Sequence, residues 1–153
     1  MQENCKKINI NDYKVFVFDL DNTLYLHTVD MLYREEYNEE VIKFLQYLKE
    51  NGKRICLATH NKNPFRILDK MEIHPDIFDA IIYQTEPVLS SVDILTYTNK
   101  KKMIQNILHI TNVSIQEIIF FDDMMYNIEQ VKKMGIECIH VCPEIGIIFD
   151  NIF

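Results

Sequence analysis

The sequence has 153 residues, 48% of them hydrophobic and 25% charged, which suits one compact globular domain over residues 1–153. No run approaches the roughly 18 apolar residues of a membrane span, and the polar first residues lack a secretory apolar core. The net charge of −7 speaks against a nucleic-acid partner, which calls for a basic face, so we expect a cytoplasmic protein that binds neither nucleic acid nor membrane.

Residues 14–18 open the pattern with a near-continuous apolar run, the mark of a strand buried on both faces in a parallel sheet. Asp19-Leu20-Asp21-Asn22-Thr23 follows it. Residues 25–38 make a short connection whose Tyr25, His27 and Tyr33 read as an exposed loop rather than the rim of a site. Val41, Phe44, Leu45 and Leu48 then recur at helical spacing. Gly52 stands where that helix needs a left-handed end.

A second strand over 54–58 runs into Thr59-His60-Asn61. Asn63-Pro64 reads as a helix start, Asn as cap and Pro in the first turn. A short third strand covers 80–83. Lys100, Lys101 and Lys102 open a helix carrying Ile104, Ile107 and Leu108. The fourth strand, 118–121, closes on Asp122-Asp123. Met124, Ile128, Val131 and Met134 mark another helix, with its methionines expected as core filler. Gly135 precedes a fifth strand over 138–141, and the tail from Pro143 has no clear period.

Strand–helix alternation predicts an α/β fold: a Rossmann-like parallel sheet of about five strands with helices on both faces. Gly52, Gly135 and Gly146 are the only glycines, so no glycine-rich dinucleotide or phosphate loop can be written. Four cysteines are too few for a disulfide scaffold. Cys138, His140 and Cys142 share a strand face but lack a fourth ligand, so buried thiols and a strand histidine are expected rather than zinc.

In open α/β sheets, ligands bind beyond the carboxyl ends of the strands. There the sequence sets Asp19 and Asp21, then Thr59, His60 and Asn61, then Asp122 and Asp123, with the lysine group opening the intervening helix. Each is weak alone: D-x-D suits a turn and Asp-Asp a helix cap. Together they set four carboxylates at one edge, where like charges repel unless a cation sits among them. Oxygen ligands with open positions suit magnesium. Asn127, four residues after Asp123, can face the same metal shell or cap the helix.

The stretch from Phe18 to Leu24 resembles the D-x-D-x-T signature of the haloacid dehalogenase-like superfamily. Thr59 resembles its second motif, Lys100 its third and Phe121-Asp122-Asp123 its fourth, over about residues 14–142. The stretch Ile119–Asp123, then Asn127-Ile128 and Gly135–His140, is similar to the magnesium-dependent phosphatase-1 group. The short connection leaves no room for a separate cap domain, and Thr59-His60-Asn61-Lys62 departs from that group's Ser-Arg type.

The resemblance implies a magnesium-dependent phosphomonoester hydrolase. Asp19 would be the nucleophile, forming an aspartyl-phosphate, and Asp21 the general acid/base. Asp19, Asp21 through its backbone carbonyl, Asp122, Asp123 and Asn127 would surround the Mg2+. Thr59, His60, Asn61 and Lys100 would bind the substrate phosphate, carried by a phosphoprotein or a sugar phosphate. Two other readings stand beside it: a catalytically silent binding or regulatory protein on the same fold, and a receiver-like phospho-acceptor domain.

Overall fold

The computed structural model describes residues 7–84 and 99–152. Five strands, β1 (Val15–Phe18), β2 (Arg54–Thr59), β3 (Ala80–Tyr83), β4 (Ile118–Asp122) and β5 (Glu137–His140), form one parallel sheet in the order β3-β2-β1-β4-β5. Four helices are described beside it: α1 (Met31–Glu50), α2 (Pro64–Lys70), α3 (Lys100–Thr111) and α4 (Met125–Lys132). None of the described helices is long and apolar enough to cross a membrane. The strands lie within a residue of the predicted runs; β1, β2 and β4 are buried almost throughout, and such strands show themselves as near-continuous apolar sequence. The order differs from the 2-1-3-4-5 of receiver-type sheets, so the receiver-like reading does not fit this fold.

Side-chain alternation along each strand divides the core in two. Phe16 and Phe18, Ile55 and Leu57, and Ile119 and Phe121 pack with Val41, Phe44, Leu45 and Leu48 of α1 and with α2. Val15, Val17, Cys56, Ala58, Ile118 and Phe120 pack instead with Met103, Ile104 and Ile107 of α3 and with Ile128 and Val131 of α4. Helices thus cover both faces, as the apolar strands require.

The helix ends have local causes. Asp30 caps α1 by accepting from the Tyr33 N–H at 2.8 Å, and Asn99 caps α3 by accepting from the Lys101 N–H at 2.9 Å. Gly52 (φ +73°) and Gly135 (φ +86°) take the left-handed conformation expected after a helix. Asn63 precedes Pro64 as predicted but makes no side-chain cap bond. Its N–H donates instead to Asn61 Oδ1 at 2.8 Å. Met124 corrects the core-filler reading: it is 54% exposed, just before α4.

The chain steps outward through β1, β2 and β3, then returns to the other side of β1 for β4 and β5. The crevice at this reversal lies between the carboxyl ends of β1 and β4, where such sheets bind ligands. The tail, unassigned from sequence, closes that side of the core. Tyr37 donates its hydroxyl to the Thr23 carbonyl at 2.6 Å and accepts from the Ile147 N–H at 2.9 Å. Ile147 and Ile152 are buried.

Candidate active site

Sheet register brings the acidic residues together. Phe18 pairs with Phe121 across β1 and β4, so Asp19 and Asp122 follow side by side, and the Asp19 N–H donates to the Phe121 carbonyl at 2.9 Å. Ligand oxygens of Asp19, Asp122 and Asp123 all lie within 4.8 Å of one another. Oxygens on opposite sides of one hard divalent cation stand roughly 4–5 Å apart, twice the metal–oxygen distance. The trio therefore fits such an ion by both spacing and donor type.

Lys100, from the first turn of α3, is 2% exposed. Its ammonium donates to Asp19 Oδ1 at 3.0 Å and to the Ala58 carbonyl at 2.7 Å, and lies 3.4 Å from Asp122 Oδ2. Lys101 and Lys102, on the same helix, are exposed. Asp122 is buried and accepts from the Met124 N–H at 2.8 Å and from Asn127 Nδ2 at 3.1 Å. Asn127 thus spends its amide on a carboxylate of the trio.

The charge balance of the site shows in its acids. Asp122 is pushed up from the usual carboxylate range by burial, then by the Asp19 charge. Burial and the neighbouring Asp19 raise Asp123 to about 7. Among the described residues Lys100 is the ammonium beside Asp19 and Asp122, and the shifts of Asp122 and Asp123 reflect burial of several carboxyls in one crevice. His60, half-buried near Lys100, is shifted the other way, by burial first and then by the Lys100 charge.

Thr59, at the end of β2, is fully buried, and its Oγ1 accepts from the Asn61 N–H at 3.1 Å. A hydroxyl that accepts in this way can also donate its proton. Asn61 reaches Asp21: Nδ2 lies 3.3 Å from Oδ1 and 3.1 Å from Oδ2.

Two side chains at the site had no role assigned from sequence. Thr23 is fully buried and donates to Asp19 Oδ2 at 3.5 Å; its position in the signature was the only available signal. His27 sets its Nε2 2.6 Å from Asp21 Oδ1. The exposed-loop reading holds for His27, an exposed residue, but not for Tyr25, which is buried with the Arg34 guanidinium 5.3 Å from its ring centroid, nor for Tyr33, which lies in α1. Tyr33 donates its hydroxyl to the Ile145 carbonyl at 2.9 Å. On β5, His140 Nε2 lies 2.8 Å from the Asp123 carbonyl, and burial pushes the Cys138 thiol up to about 12.

A family model described as Acid Phosphatase matches residues 35–152. The match takes in Thr59, Lys100, Asp122 and Asp123 and begins after Asp19 and Asp21. Among solved structures, the chain is similar to the N-terminal part of a Bacteroides fragilis protein containing a phosphatase domain, complexed with Mg (TM-score 0.66, 19% identity, 91% of this chain). The chain spans only 39% of that one's length. It is also similar to a candidate phosphatase from Clostridium difficile (TM-score 0.64, 21% identity, 88% of this chain and 87% of that one). A haloacid dehalogenase-like hydrolase from Streptococcus pneumoniae is a third (TM-score 0.58, 14% identity, 92% and 90%). At these identities the likeness establishes the fold. No curated protein matches the chain.

Proposed function

The chain belongs to the acid phosphatase family, within the haloacid dehalogenase-like fold, and from that premise we propose that it hydrolyses phosphomonoesters with magnesium, through a phosphoryl group carried on Asp19. The observation behind the proposal is the pairing of Asp19 with Asp122 at the β1/β4 crevice and Lys100 set against both. We also read the chain as closest to the magnesium-dependent phosphatase-1 group. The domain is taken to be the whole chain, 1–153.

Asp19, Asp122 and Asp123 would hold the ion, joined by the Asp21 backbone carbonyl, while Asn127 orients Asp122. Magnesium, when bound, supplies positive charge against the phosphoryl oxygens. Lys100 sets positive charge 3.0 Å from Asp19 Oδ1, beside the proposed nucleophile. An Asp19 carboxylate oxygen attacks phosphorus, and the bond to the leaving oxygen breaks as Asp21 delivers a proton to it. Water then attacks phosphorus, gives a proton to Asp21 and frees Asp19. Thr59 donates its hydroxyl to the phosphoryl group, with His60 and Asn61 at the substrate side. The effect is chiefly one of positioning and charge.

The surroundings favour a substrate with an apolar body. In a parallel sheet, helices after β1, β2 and β4 start at the edge where those strands end. Met31 and Leu32 open α1, Phe65 opens α2, and Met124 and Tyr126 lie at the start of α4. All five are exposed, Leu32 to 72% and Tyr126 to 67%. Such a rim suits a phosphorylated polypeptide better than a hydroxyl-rich sugar phosphate.

The test is hydrolysis of p-nitrophenyl phosphate with and without magnesium, by the wild-type protein and by Asp19→Asn. We expect metal-dependent turnover that the variant loses. Full activity in the variant would remove Asp19 as nucleophile.

A further inference from the structure

Asp21 does not stand free in the site. Among the described residues its Oδ1 has two partners, His27 Nε2 at 2.6 Å and Asn61 Nδ2 at 3.3 Å. Its Oδ2 has one, the same Asn61 amide at 3.1 Å. The amide's orientation is fixed independently, because Asn61 Oδ1 accepts from the Asn63 N–H at 2.8 Å, which turns Nδ2 to Asp21.

His27 is itself held by its own loop. Its N–H donates to Asn22 Oδ1 at 3.2 Å, and Asn22, at φ +60°, donates its N–H to the Tyr25 carbonyl at 2.7 Å. The ring meets the edge of Tyr25 at 4.8 Å between centroids. Arg34, from α1, donates to the carbonyls of Leu26, His27 and Val29 at 2.7, 2.8 and 3.2 Å. A left-handed Asn, a buried Tyr and a three-way Arg clamp are more order than an exposed loop needs, and together they aim one imidazole at one carboxylate oxygen.

We infer that His27 is a positioning residue for Asp21. It anchors Oδ1 against the 19–30 loop, while Asn61 anchors the carboxylate from the β2 side. Oδ2, which has fewer partners than Oδ1 among the described residues, is the oxygen that exchanges the proton. This rests on the reading of Asp21 as acid/base. In the first step the proton on Oδ2 goes to the leaving oxygen as that oxygen's bond to phosphorus breaks. In the second the attacking water returns a proton to Oδ2, so His27 ends the cycle unchanged.

The experiment compares wild type, His27→Ala and His27→Gln on phenyl phosphate and p-nitrophenyl phosphate. The ratio kcat/KM covers steps up to departure of the leaving group, and phenolate needs the proton more than nitrophenolate. Misplacing a general acid costs on the order of 10–100-fold. We expect His27→Ala to lose that much on phenyl phosphate and less than about 3-fold on p-nitrophenyl phosphate. His27→Gln, which keeps a donor at similar reach, should recover most of the loss. Inhibition by inorganic phosphate should be unchanged. In an Asp21→Asn background, adding His27→Ala should cost nothing further, since the two act as a unit.

Equal losses on both substrates, or full additivity with Asp21→Asn, would overturn the inference while leaving Asp19 as nucleophile. Activity that survives Asp19→Asn would instead overturn the reading beneath it. A wild-type-like His27→Ala would remove the role outright.

Discussion

At the scale of single residues, the site gathers three carboxyls, with the Lys100 ammonium beside two of them. Asp123 is raised to about 7 from an ordinary 3.8. A raised folded value means that its contribution to stability is fully present below the unfolded value and is lost as pH climbs through about 7. Without added metal, the protein should therefore lose thermal stability between about pH 4 and pH 7 through this group. Added magnesium should raise Tm more above pH 7, where Asp123 is ionised, than near pH 5. Thermal melts with and without the ion check this, and an equal shift at both pH values would contradict it. Asn127→Ala removes a donor from Asp122, and titration calorimetry should show magnesium affinity down roughly 10–100-fold. Lys100→Met leaves two buried carboxyls without their ammonium and should cost about 3–5 kcal/mol in a denaturant titration. The acids and Lys100 were legible in the sequence, because each follows an apolar strand or opens a helix. His27 was not: its contact with Asp21 depends on a left-handed Asn22 and on Arg34, neither of which has a sequence signature.

At the scale of elements, the strands were the clearest part of the sequence, since burial of β1, β4 and nearly all of β2 leaves long apolar runs. Helix ends were less so. Asn63-Pro64 has the residue types of a capped start, yet Asn63 makes no side-chain cap bond and its N–H serves Asn61 instead. The tail could not be placed, because its anchor is one long-range hydroxyl, that of Tyr37, rather than a periodic face. Two glycines separate local strain from packing. Gly52 has φ +73° and open space where a Cβ would go, so Gly52→Ala should cost only the left-handed strain of about 1–2 kcal/mol. Gly146 has φ +84°, and a Cβ there would lie 2.4 Å from ring carbons of Tyr37. Gly146→Ala should cost about 2–5 kcal/mol, strain and overpacking together. Comparable midpoints for the two variants in chemical denaturation would show that the tail does not lock onto Tyr37.

At the scale of the whole molecule, strand order turns separate chain segments into one site. Reversal of the order at β1 makes β4 its neighbour and so brings Asp122 beside Asp19, across a hundred residues of sequence. The alternation of strands and helices made the sheet legible, but nothing in the sequence told which strands adjoin; the family resemblance implied only that Asp19 and Asp122 gather around one ion. The apolar rim belongs to this scale too, because it gathers the first turns of three helices. A phosphopeptide with apolar residues beside its phosphorylated side chain should show a lower KM than a sugar phosphate, and Leu32→Lys with Tyr126→Lys should raise the peptide's KM several-fold. An unchanged KM would remove the rim from substrate binding. The central claim is that Asp19 carries the phosphoryl group, and it is tested most directly by trapping. Asp21→Asn slows release of the intermediate, so mass spectrometry after brief incubation with p-nitrophenyl phosphate and magnesium should find one phosphoryl group on Asp19. A phosphoryl group on any other residue, or steady turnover at the wild-type rate with none on the protein, would contradict it.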